Sequence, residues 1–234
     1  MTQATPAADS KKLTFEIVHD SDPTNPFTDW DGEPPLMFSS GRNAGRTDHS
    51  NGAILEAIQE AATDGRIIRH SAKILDILGS SFEYYEDDTK EDKIDHIRDE
   101  INNATVEELG ELCELFKLPH KQYTSTGYSQ GDWAEVLILL TPEFYETTGC
   151  KPEHKESILK GTAELFNQWA WGDVYGFRIY EETTCQCCEE TKKEEIDSCY
   201  SFFGHDFEKN GMMDHFPEKL KEELKNFDNS DIKY

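Results

Sequence analysis

Apolar residues return along this chain with two periods, and the period changes from stretch to stretch. Leu13, Phe15 and Ile17 alternate with polar neighbours, which is the pattern of a half-buried strand. Ile54, Leu55, Ile58 and Ala62 recur three or four apart, and so, further on, do Ile67, Ile68, Ile74, Leu75 and Leu78. Two core-facing helices are therefore predicted, the first capped by Asn51 and stopped by Asp64 and Gly65. Ile94, Ile97 and Ile101 mark one face of a third helix. Thr105 and Glu108 have the spacing of a capping box, in which hydroxyl and carboxylate each satisfy the other residue's backbone N–H. The helix it opens turns Leu109, Leu112, Cys113 and Phe116 inward.

The second half reads as two hairpins, each followed by a helix. Residues 121–140 form the first around SQGD, and its second strand, AEVLILL, is apolar enough to be buried on both sides until Pro142 closes it. Pro152 opens a helix whose buried stripe runs through Ile158, Leu159, Ala163, Leu165, Phe166 and Trp169. Residues 173–203 form the second hairpin, with Tyr175, Phe177 and Ile179 on one face and Val174, Gly176 and Arg178 on the other. Pro217 opens a last amphipathic helix through Leu220, Leu224 and Phe227. This order predicts an α+β fold, a mainly antiparallel sheet packed with amphipathic helices. Residues 1–11 read as a disordered tail and 12–234 as a single domain, with an acidic helical segment at about 83–117.

Charge changes the picture from fold to function. Across 234 residues, 48 acids against 23 bases leave a formal charge of −25. Self-repulsion on that scale destabilises the compact state, so the anionic surface is expected either to suit a halophilic setting or to serve a partner. Phosphate binding needs a Lys and Arg footprint that is missing, so direct nucleic-acid binding and an anionic membrane surface are both disfavoured. Residues 80–117 hold 13 acids and 4 bases. The candidate partner-binding face is accordingly Glu83, Asp87, Asp88, Asp95, Asp99, Glu107, Glu108, Glu111 and Glu114, offered to a host protein with a basic cleft. Such a face is expected to act as a DNA mimic without catalysis. The first residues lack an apolar signal core and no window is long enough to span a membrane, so the expected compartment is the cytoplasm, with six reduced cysteines.

Candidate chemistry is sparse. Cys185 and Cys188 form a C-x-x-C pair at the tip of the second hairpin, and Cys199 and His205 follow closely enough in sequence to complete a tetrahedral structural zinc site. A metal- or thiol-dependent enzyme built on Cys185, Cys188 and Cys199 is the rival to an interaction protein. No second C-x-x-C follows, and strand alternation places Cys199 toward the core. His19 lies near Asp20 and Asp22 in sequence, and His120 precedes the turn from Ser129 to Asp132, but neither has the spacing of a known catalytic pair. Asp29, Asp31 and Glu33 lack the twelve-residue calcium pattern and read as a turn. The glycine-rich stretch with Arg42, Arg46 and His49 lacks phosphate-loop spacing and reads as a mobile loop. Trp30, Trp133, Trp169 and Trp171 read as core aromatics rather than as a stacking platform.

The stretches YSQGDWAEVLILLTPEF (128–144), WGDVYGF (171–177) and DSCYSFFG (197–204), with NPFTDWDG (25–32) before them, resemble a recurrent pattern in accessory proteins of bacteriophages and mobile elements. The resemblance spans about a third of the chain and implies a small protein acting inside a bacterial host. It carries no implied activity.

Overall fold

The computed structural model describes residues 10–27, 34–42, 52–80, 89–127, 131–185, 188 and 190–234. In chain order its elements are β1 (Ser10–His19), β2 (Leu36–Arg42), α1 (Gly52–Ala61), α2 (Asp64–Ile77), α3 (Lys90–Asn102) and α4 (Val106–Phe116). They continue with β3 (His120–Thr126), β4 (Trp133–Leu139), α5 (Pro142–Thr148), α6 (Lys155–Trp171), β5 (Val174–Thr184), β6 (Thr191–Phe203) and α7 (Glu218–Lys225). The fold is α+β, with two three-stranded antiparallel sheets among the described residues. Within the span 12–234 expected to form one domain, the chain gathers into two compact units, Pro26–Trp171 and Met1–Asn25 with Gly172–Tyr234.

In the unit Pro26–Trp171 the sheet order is β2-β4-β3, so the apolar strand is central, as its sequence predicts. Ala134, Val136, Leu137, Ile138 and Leu139 are all buried. Leu137 and Leu139 join a cluster with Ile54, Ile58, Ile97, Leu109 and Leu112 from α1, α3 and α4. The other face meets α6: Tyr123 and Ser125 of β3, which pair with Val136 and Ala134, reach the helix through side chains. Buried Ser125 donates to Asn167 Oδ1 at 2.7 Å and accepts from Trp171 Nε1 at 2.7 Å, while the Tyr123 hydroxyl donates to Asn167 Oδ1 and Ala163 O at 3.2 Å. These bonds satisfy polar groups that burial would otherwise leave costly.

Several boundaries differ from the sequence reading for local reasons. Asp64 and Gly65 do not stop α1; Asp64 begins α2, where its carboxylate complements the positive helix end. Pro142 opens α5, and Thr141 Oγ1 caps it by accepting the Phe144 N–H at 3.1 Å. Pro152 opens a single 3-10 turn, after which α6 begins. Ser10 and Lys11 belong to β1 rather than to the tail. The run Leu36, Met37, Phe38 is the start of a strand that sequence alone does not announce. The predicted capping box at α4 forms, with Thr105 N donating to Glu108 Oε2 at 2.6 Å and Glu108 N to Thr105 Oγ1 at 3.3 Å. A second box, Thr89 with Asp92, opens α3. Asn51 lies outside the described residues.

In the second unit the order is β1-β5-β6, and the predicted hairpin is β5 and β6. Phe177 and Ile179 face Ile17, Phe202, Met212, Phe216, Leu220 and Leu224, so the segment after β6, with α7, covers this side of the sheet. On the opposite face Glu16 Oε1 accepts from Lys193 Nζ at 2.8 Å and from Lys233 Nζ at 2.9 Å, and Glu16 Oε2 accepts from the Tyr180 hydroxyl at 3.2 Å. The bond from Lys193, then that from Lys233, hold the Glu16 carboxyl at about 2, well below its usual 4.5. A carboxyl depressed on folding stabilises above its unfolded pKa, and that stability fades as pH falls from about 4.5 toward 2. With allowance for solvent screening, Glu16→Gln is expected to cost about 1–2 kcal/mol near neutral pH and almost nothing near pH 2. Urea midpoints of both proteins across that range measure the convergence.

Candidate interaction surface

Helical periodicity sets the acidic rows. On α3, burial of Ile97 and Ile101 turns Asp95 and Asp99, four apart, into solvent. On α4, burial of Leu109, Leu112, Cys113 and Phe116 leaves Glu107, Glu111 and Glu114 exposed along the outer side. Burial also pushes the Cys113 thiol up to about 12, so it behaves as a core residue. Among the described residues, none of these five carboxylates takes part in an ion pair. Arg98, the base between Asp95 and Asp99, turns instead to Asp64 of α2 at 2.9 Å. Glu108 stands apart from the expected face, because its carboxylate is occupied in the α4 capping box and half-buried. Glu83, Asp87 and Asp88 lie outside the described residues, as do Asp29, Asp31, Glu33, Trp30, Arg46, His49 and Ser129.

The structure does not bring the proposed zinc ligands together. Cys185 N donates to Glu190 O at the hairpin turn, and Cys188 Sγ lies 3.8 Å from Glu190 Oε2. Cys199 sits opposite Phe177, whereas the strand end nearest the tip is Thr191. Eight residues of extended chain, at about 3.3 Å each, separate those positions, far beyond zinc bonds of about 2.3 Å. His205 lies beyond the far end of β6, where its Nδ1 is 3.8 Å from Asp173 Oδ2. Among the described residues, no three His, Cys, Asp or Glu side chains form a metal-holding group. By the same separation, Cys199 does not share one site with Cys185 and Cys188 at the tip.

The histidine pairs dissolve in a similar way. His19 Nε2 bonds to Gly172 O at 2.5 Å, while buried Asp20 accepts from Ser201 N at 3.1 Å and Asp22 N at 3.2 Å. His120 bonds through Nδ1 to Leu118 O at one end of β3, opposite Leu139, and Asp132 adjoins Trp133 at the other end of the hairpin. Among the described residues the tryptophans make no platform: Trp169 is buried beside Phe27 and Phe166 and Trp171 is tied to Ser125, while Trp133, expected in the core, is 39% exposed.

A feature the sequence reading misses lies between α1 and α5. A cleft of about 550 Å³ has Leu36, Ala57 and Phe144 on its apolar floor, with Glu56 and Glu60 from α1 and Glu143 and Glu146 from α5 along its sides. A neighbouring depression shares Glu56 and Glu60, so this pair forms the ridge between the two. The helical spacing of each pair is visible in the sequence; their convergence is not.

No helix among the described residues is long and apolar enough to cross a membrane. No known family model matches the chain, and neither a curated protein nor a solved structure shows significant similarity to it.

Proposed function

We propose that this chain is a non-catalytic, acidic interaction protein of phage or mobile-element type that occupies the nucleic-acid-binding cleft of a basic host protein. The observation that carries the reading is the pair of carboxylate rows on α3 and α4, exposed and without ion-pair partners among the described residues. Along α4 the three glutamates span seven residues, or about 10 Å at 1.5 Å per residue. Duplex DNA carries one charge per about 1.7 Å of axis. One helix therefore does not copy the phosphate spacing, and mimicry would act through the summed field of several acidic elements. Such a field speeds encounter with a positive cleft and weakens as salt screens it. Residues with their carboxylates already committed, such as Glu108, contribute charge but not contact.

The test is capture from a bacterial host lysate at low and at high salt, with the wild-type chain and with Glu107→Lys/Glu111→Lys/Glu114→Lys. A basic, nucleic-acid-binding protein held at low salt, released at high salt and lost with the variant is the expected result. Unchanged capture by the variant at low salt, or recovery of no such protein, sinks the reading.

A further inference from the structure

We propose that the α1–α5 cleft docks a cationic, amphipathic segment of a partner protein, with an apolar side chain on the floor and Lys or Arg side chains between the two glutamate pairs. This inference rests on the reading of the chain as an acidic interaction protein and adds a concave contact to the outer faces of α3 and α4.

Glu56 and Glu60 are one helical turn apart, Glu143 and Glu146 are three residues apart, and all four are exposed. Among the described residues, no base lines the cleft and none of the four carboxylates takes part in an ion pair. Low-dielectric walls concentrate a field of one sign inside such a concavity. An anionic ligand is repelled there, and a purely apolar one would desolvate four charges without compensation. A hydrated lysine or arginine with no apolar neighbour would leave half-buried Leu36 and Ala57 uncovered. A segment that pairs cations with one or two apolar side chains answers both requirements, and about 550 Å³ lies within the range of small binding pockets.

Fluorescence anisotropy with a fluorescein-labelled helical peptide of Leu and Lys, and with octalysine as the apolar-free control, tests this on the full chain. Two variants remove four carboxylates each: Glu56→Gln/Glu60→Gln/Glu143→Gln/Glu146→Gln in the cleft, and Asp95→Asn/Asp99→Asn/Glu107→Gln/Glu111→Gln on α3 and α4. The cleft variant is expected to weaken the Leu–Lys peptide at least about tenfold and the other less than about threefold, with octalysine binding weaker throughout. Equal losses in both variants, or no preference for the Leu–Lys peptide over octalysine, overturn the assignment. If only the α3–α4 variant loses binding, the cleft proposal fails while the interaction reading stands. If the wild-type chain binds neither peptide at low salt, both fail.

Discussion

Phe177→Ala is expected to cost about 3–5 kcal/mol, the largest single loss foreseen for the unit Met1–Asn25 with Gly172–Tyr234. The side chain is 1% exposed, its ring lies 4.7 Å from that of Phe216 in an edge-on arrangement, and Phe202 stacks on it at 5.9 Å. Phe15 then packs edge-on against Phe216 at 5.1 Å, which brings β1 into the same cluster. Truncation removes the buried area and leaves a cavity walled by rings that cannot easily collapse. Typical domains hold only 5–15 kcal/mol, so the variant is expected to show a much lower urea midpoint or to be unfolded at ordinary temperature. Phe177→Leu, which keeps most of the volume, separates cavity cost from a nonspecific failure to fold: it should lose less than half as much. Equal midpoints for wild type and Phe177→Ala would refute this account of the core.

The second large effect concerns a residue with no side chain. A Cβ at Gly176 would stand 2.3 Å from Tyr200 Cδ1 and 2.9 Å from the Cys199 carbonyl oxygen. Tyr200 lies across the strand at this point, with its hydroxyl accepting from Arg178 Nε at 2.8 Å. The ring reaches this position because β6 has an extra residue opposite Tyr175 and Phe177, where Ser201 takes φ 66 and the Asp20 carboxylate accepts its N–H. Gly176→Ala is therefore expected to cost about 2–3 kcal/mol through overpacking. In a Tyr200→Ala background the same change should cost much less, because the main obstacle has gone; a double-mutant cycle from denaturant midpoints gives the coupling. If the two losses simply add, the ring is not what excludes a side chain there.

Local rules made part of this architecture legible. Strand β4 announces itself because helices cover both faces of its sheet, so nearly every position is apolar. The Thr105 box is readable because Glu at its third helical position is the usual partner; Thr89 with Asp92 works by the same bonds but with a shorter acid. Residues 36–42 are harder, since Ser39, Ser40 and Gly41 carry little strand propensity and the segment is a strand only by pairing with β4. The acidic rows of α3 and α4 follow from helical spacing alone. The cleft does not, because α1 and α5 are brought together by tertiary packing that no local window contains. The cysteines mislead for the opposite reason: closeness in sequence along a hairpin is separation in space, at about 3.3 Å per residue.

The interrupted sequence of one unit has a consequence for synthesis on the ribosome. Pro26–Trp171 is contiguous, whereas the other unit needs Met1–Asn25 and Gly172–Tyr234 together. Strand β1 is made first, yet its partner comes late: Thr14 and Glu182, joined by a hydrogen bond, are 168 positions apart. Elongation at about 5–20 residues per second leaves β1 without that partner for several seconds or more. During that interval Phe15 and Ile17 have no native cover, and the nascent chain is open to mispairing or to a chaperone. Truncated chains ending near residue 171 should therefore expose the amino-terminal segment to protease while shielding the helices that follow it.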